Sequence, residues 1–251
     1  PGYTAQTQRP DTTEAQKEET DVTAKLAQIW RHPITAIGRE ALDHVTLAKG
    51  QWLPFDRLWA VAHERSKLSG SGWEKKVNFL RGVTDASLMA VTTELDATTG
   101  EITAKHPDAG EVRFHPETDP EPFLDWTRGI WAADLPAPTG FYRASGAHLT
   151  DVPDPWISIG SLSSNRALSQ RMGQDLSPDR WRANLWLDGA APWAEKDWVG
   201  QTLRIGEAAL NVTCEITRCK ATMANPVTGR RDADTLGALS DLGHQEFGVY
   251  A

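Results

Sequence analysis

The residue best suited to chemistry is Cys219, at the end of the stretch Leu210-Asn211-Val212-Thr213-Cys214-Glu215-Ile216-Thr217-Arg218-Cys219-Lys220. Arg218 and Lys220 flank it, and neighbouring cations favour the thiolate, the form that attacks electrophiles or binds a metal. A thiolate there could be a soft metal ligand, a nucleophile or a sulfur carrier. It could equally be an inert residue closing a strand. Leu210, Val212, Cys214 and Ile216 alternate, which predicts one half-buried strand with Cys214 on its apolar face. Cys219 lies an odd number of steps from Cys214, so on a straight strand it points to the opposite, polar side. The two cysteines then have different roles, one packing and one presented. Five extended steps separate them by roughly 16 Å, too far for a disulfide, which needs Cα atoms within about 7 Å. Free thiols suit a reducing, cytoplasmic compartment.

Arginine is the second signal. From Ser161 onward the chain has 10 Lys+Arg against 11 Asp+Glu, and eight of those cations are Arg. The remainder has 16 against 23, so most of the net charge of −8 lies in the first part. Arg suits bidentate recognition of phosphate, although for any single surface Arg pairing with nearby carboxylates is the better account. The acidic balance argues against a nucleic-acid or anionic-membrane surface. No apolar run is long enough to span a bilayer, and the polar start has no leader-like stretch.

The elements that must position these residues are mostly short strands. Residues 1–23 are polar and read as a disordered tail. Strands are expected at Lys25–Arg31, Leu42–Leu47, Asp56–Ala62, Leu88–Leu95, Ile102–Ala104 and Glu111–Phe114, with Thr98-Thr99-Gly100 as a hairpin turn. Such spacing suggests a small barrel or sandwich. The acidic, proline-containing Thr118–Glu121 marks an expected boundary, followed by a helix over Phe123–Ala132. The second part is mixed: strands at Trp156–Ile159, Asn184–Leu187 and Thr202–Ile205, and a last helix over Asp234–Leu242. Between the first two of these strands, Ser161–Ser164 supplies N-cap candidates for a helix stopped by Gly173. The eleven Trp are scattered and read as core. No G-x-G-x-x-G, Walker loop, H-E-x-x-H, C-x-x-C or G-x-S-x-G occurs.

The segments Arg182–Gly189, Pro192–Gly206, Arg218-Cys219 and Pro226–Asp232, in that order, resemble the MOSC domain, the C-terminal domain of molybdenum-cofactor sulfurases. Trp30-Arg31-His32-Pro33 and Asp56-Arg57-Leu58-Trp59 are similar to the β-barrel region preceding MOSC in the mitochondrial amidoxime-reducing component and its bacterial relatives. The resemblance implies a mainly β fold: a smaller N-terminal β-barrel subdomain over 24–118 and a MOSC domain over 119–251. Relatives usually continue past Ala251, so that second domain is expected to be truncated. The resemblance also implies a molybdopterin-type molybdenum cofactor, with Cys219 as the metal ligand. Arg57, Ser163, Arg182, Asn184 and Arg218 would lie around the pterin and its phosphate. The implied chemistry is reduction of small N-hydroxylated compounds by oxygen-atom transfer, with electrons from a separate protein. A carrier of the cofactor, or of persulfide sulfur on Cys219, is the other implied role. The likeness departs at Pro33-Ile34-Thr35-Ala36, where the family usually has Pro-Val-Lys-Ser. One charged phosphate contact is expected to be missing there, roughly 1.5–3 kcal/mol.

Overall fold

The computed structural model describes residues 24–70 and 72–251. The expected tail at 1–23 lies outside the described residues. β1 (Lys25–Arg31) forms over the expected range, and β2 (Glu40–Leu42) returns antiparallel to it with Arg31 opposite Glu40. The strand expected over Leu42–Leu47 ends at its first residue. Val45 and Leu47 still pack on the core, so alternation marked a buried face without supplying a pairing partner. β3 (Trp59–His63) starts three residues later than expected. Phe55 and Arg57 before it both have positive φ, which strand geometry excludes.

A short 3₁₀ helix follows at Lys76–Asn78. The expected strand Leu88–Leu95 splits into a 3₁₀ helix, Ala86–Ala90, and β4 (Thr92–Leu95). Asp85 causes the split locally: its carboxylate accepts the Ser87 N–H and starts the helical turn. β5 (Ile102–His106) and β6 (Gly110–Phe114) complete an antiparallel three-stranded sheet with β4. In the β4–β5 turn Asp96 accepts from Thr98 N at 2.8 Å, and Gly100 supplies the φ of +81° that closes it. α1 (Glu121–Arg128) then packs on β6, and β7 (Pro138–Arg143) pairs antiparallel with β3. Phe123 of α1 and Phe141 of β7 share one core with Trp59, Val61, Ile102 and Phe114. Residues on both sides of the expected boundary near 118 therefore contribute to that core.

β8 (Ser158–Ser161), α2 (Leu162–Met172) and β9 (Leu185–Asp188) form a crossover between parallel neighbours. Ser161 caps α2 by accepting from Ser164 N at 3.2 Å, and Gly173 ends it at φ +62°. β10 (Thr202–Ile205) and β11 (Ala208–Asn211) form a hairpin. β12 (Cys214–Thr217), α3 (Thr235–Ser240) and β13 (Glu246–Tyr250) complete the fold. The largest sheet runs β12-β13-β8-β9-β1-β2, so the first strands of the chain join the sheet of its last part. The molecule is mainly β, with three α-helices among the described residues.

One expectation changes in a way that matters for the site. Leu210–Lys220 is not a single strand: Leu210 belongs to β11 and Cys214 to β12, in different sheets. The chain turns at Val212-Thr213, where Val212 N donates to Gln201 O and Thr213 N to Tyr250 O. Parity counted through that turn means nothing. The contrast between the cysteines holds for another reason: Cys214 is half-buried within β12, while Cys219 lies past its end, exposed, at the cap of a 3₁₀ helix, Lys220–Met223.

Candidate functional site

The site is assembled around Asp56, which is 3% exposed. Its Oδ1 accepts from His32 N at 2.8 Å and from Asn184 Nδ2 at 2.9 Å. Its Oδ2 accepts from Arg57. One carboxylate thus ties the residue after β1, the residue before β9 and the turn before β3. Burial pushes this carboxyl up, but the Arg57 charge and the His32 hydrogen bonds outweigh it and hold it below the usual carboxylate range. For His32, burial comes first, then the charges of Arg182 and Arg57; together they lower it to about 3 against the opposing pull of Asp56. The imidazole is neutral at pH 7.

Arg57 and Arg182 share an unusual backbone state, with φ of +50° and +52°. Left-handed non-glycine residues are costly and persist where the surroundings over-determine them. Arg57 N donates to His32 O at 2.6 Å, and its carbonyl accepts from Leu149 N at 2.7 Å, so both ends are pinned. Its guanidinium also donates to Arg182 O at 2.9 Å, joining the two left-handed residues. Arg182 closes the 3₁₀ turn Pro178–Trp181, and its own guanidinium donates to Gly38 O at 2.9 Å. Burial, followed by the Arg57 charge, lowers Arg182 to about 9. Arg218 is held more firmly: Nε and Nη2 donate to Phe247 O, and Nη1 to Trp181 O at 2.8 Å. It also lies over the stacked Trp181 and Phe247 rings. Burial lowers it to about 10, with Tyr250 and Cys219 pulling the other way. Both arginines remain charged at neutral pH.

Lys76, which the sequence reading missed, completes the group. Desolvation, the Arg57 charge and then those of Arg182 and Arg218 lower it from 10.5 to about 7, and Cys219 opposes them. Its side chain keeps 39% of its surface open. It pairs with Asp151, whose other oxygen accepts from Tyr250 Oη. No spacing in the sequence connects Lys76 to Cys219; only the fold does. Lys76 and Arg57 precede residue 147, whereas Arg182, Arg218, Cys219 and Tyr250 follow it.

Two expected site residues lie differently. Asn184 is 1% exposed, and its amide is fully engaged with Trp30 O, Asp56 and Ser158. It orients Asp56 and Arg57 and has no free edge for a ligand. Ser163 is near the opposite end of β9, bonded to Arg166 and Asp188. Four strand steps, about 13 Å, separate that end from Asn184, so Ser163 does not join the cluster. Thr35 is buried and donates its hydroxyl to Leu149 O at 2.8 Å. Among the described residues no three His, Cys, Asp or Glu side chains converge as a metal-binding group, and no hydrogen bond reaches Cys219 Sγ. No described helix is long and apolar enough to cross a membrane.

Residues 147–251 match the MOSC domain family. The chain is 35% identical over 111 residues to a molybdenum cofactor sulfurase of Drosophila willistoni, covering 43% of this chain and 14% of that protein. The corresponding figures for the Drosophila grimshawi protein are 36% over 95 residues, 36% and 12%. For Drosophila mojavensis they are 32% over 90 residues, 35% and 11%. The chain therefore matches about a seventh or less of the length of these relatives.

Proposed function

We propose that this chain, which carries a MOSC domain over residues 147–251, binds a molybdopterin-type molybdenum cofactor and uses it to reduce small N-hydroxylated compounds. The observation that carries this reading is an exposed Cys219 that follows Arg218 in the chain and lies within electrostatic reach of Lys76, next to a cluster in which Arg57 and Arg182 are bonded to each other. A thiolate suits a soft or sulfur-loving metal, and the cations suit a phosphate. With a single cysteine and no converging group of other ligands among the described residues, a metal here needs its remaining ligands from an organic partner. The residues fit that group.

When bound, the cofactor supplies two-electron oxygen-atom transfer. This chain contributes the rest. Cys219 is the protein ligand of the metal. The donors of Arg57 and Arg182 not spent on carbonyls, and the Lys76 ammonium, hold the phosphate. Asp56 and Asn184 fix the direction of Arg57, and Arg218, tied to Phe247 O and Trp181 O, fixes the chain entering Cys219. Electrons come from a separate electron-transfer protein. The similarity to proteins named sulfurases favours a second reading, in which Cys219 carries sulfur as a persulfide and passes it on.

The test is the molybdenum and pterin content of the full chain produced in a cofactor-making host, wild type beside Cys219→Ala and Cys214→Ala. Stoichiometric molybdenum in wild type and Cys214→Ala, lost from Cys219→Ala, is expected. Turnover of a hydroxylamine or amidoxime with an added reductase then supports the enzyme. Labile sulfane sulfur on Cys219 without molybdenum would replace it with the carrier.

A further inference from the structure

Of the cluster's four basic residues, Arg57, Lys76, Arg182 and Arg218, Lys76 has the fewest ties to the protein. Arg218 donates to the carbonyls of Phe247 and Trp181. Arg182 donates to those of Gly38 and Ile34, and Arg57 to Asp56, Asn184 and Arg182. The Lys76 ammonium has Asp151 as its ion-pair partner, and the two side chains keep 39% and 43% of their surfaces open. Ion pairs this exposed contribute about 0–1 kcal/mol. An incoming anion displaces such a partner at little cost.

The two carboxylates of the cluster differ in the same way. Asp56 is buried and saturated, with hydrogen bonds on both oxygens. Asp151 is open to solvent and held by Lys76 and Tyr250. Its position is set by neighbours in the segment joining β7 to β8: Leu149 N donates to Arg57 O, and Trp73 Nε1 donates to Thr150 O at 3.0 Å. Those anchors hold its backbone beside the cations and leave its side chain exchangeable. Three arginines and Lys76, which is about half protonated near pH 7 and which a bound anion would keep charged, stand with two carboxylates, and only one of the carboxylates can leave. The residual positive charge calls for an anion, and the place where one can enter is the Asp151 position.

We propose that the Asp151 carboxylate is a stand-in for a ligand phosphate: a dianionic phosphate monoester takes its place on Lys76, which becomes the principal protein contact of that phosphate. This rests on the reading above, that the cation cluster holds a phosphate-bearing cofactor, and it names the residue selecting that group. On exchange Asp151 swings out, and the Tyr250 hydroxyl loses its acceptor. No bond to the protein is made or broken.

The test uses inorganic phosphate, with sulfate as a dianion of fixed charge, titrated calorimetrically into the full chain. Lys76→Met is expected to weaken binding about tenfold or more, the loss of one charge-assisted contact. Asp151→Asn is expected to tighten it roughly threefold or more, in line with removal of an exposed ion-pair competitor. Lys76→Arg, which keeps the charge, should stay close to wild type and guards against a folding loss. Wild type binding neither anion, Lys76→Met matching wild type, or Asp151→Asn weakening binding would each overturn the proposal. Molybdenum content of the same proteins separates it from the parent reading. Unchanged anion binding in Lys76→Met with molybdenum still lost in Cys219→Ala sinks only the Lys76 assignment. Anion binding that follows Lys76 and Asp151, with no molybdenum in any protein, leaves the exchange standing and removes the cofactor.

Discussion

The two sides of the cation cluster are built to different standards of rigidity. On the Cys219 side, Arg218 is clamped by two carbonyls and two stacked rings, and Gly248 allows β13 to pass close beside it. On the Lys76 side, a 3₁₀ turn and a loop meet through one exposed ion pair. The buried anion Asp56 belongs to neither side and ties His32, Arg57 and Asn184 together. The difference separates positioning from exchange: guanidinium groups tied to carbonyls orient the backbone, and a loosely paired ammonium is the more easily given to a solute.

Breaking the junction should have the largest effect. Asp56→Ala leaves the Arg57 charge, the His32 N–H and the Asn184 amide without their acceptor. A loss of about 3–5 kcal/mol, the usual result of unpairing a buried charge, is expected in urea unfolding. Asp56→Asn should lose less. The rigid side can be broken at Gly248, where φ is +76° and an added Cβ would lie 2.5 Å from Ile159 O. Gly248→Ala should cost about 1–3 kcal/mol and lower molybdenum content through Arg218 rather than through Cys219 itself. A melting curve with metal analysis on the same sample checks both.

Acid sharpens the comparison. His32 falls from 6.5 to about 3 on folding, so between those values the unfolded chain binds more protons. Stability is therefore full above pH 6.5 and declines as pH falls toward 3, by up to about 5 kcal/mol from this group. Asp56, lowered on folding, loses its contribution in the acid limb below its ordinary range. Melting temperatures across pH 4–7 should fall with acid in wild type and flatten in His32→Gln. The smallest stability change is expected at the exposed thiol: Cys219→Ala should shift unfolding by no more than about 0.5 kcal/mol. A large loss there would mean that the sulfur packs rather than binds.

Much of the local architecture was legible. β1, β10 and α2 with its Ser161 cap and Gly173 stop lie where alternation and capping residues placed them. Cys219, Arg57, Arg182 and Arg218 stood out in the sequence, and the fold brings the three arginines together; their role as a cofactor site belongs to the proposed function. Leu88–Leu95 and Leu210–Lys220 misled because alternation reports burial, and both segments bury residues while changing direction. Asn184 looked like a ligand residue since an amide can serve a pterin or a buried network equally well; its neighbours decided for the network.

By itself the sequence determined the chemistry available: one presented thiol, a nearly neutral second part whose cations are mostly Arg, and strands whose periods are written in side chains a few residues apart. Tertiary structure alone decided which charges meet. Lys76 and Cys219, or Asp56 and Asn184, are joined by no local pattern, because the field at a site falls with distance through space and is indifferent to distance along the chain. Partnership also decided roles: Asp56 became a fixed junction and Asp151 an exchangeable one through burial, which the residue type does not encode.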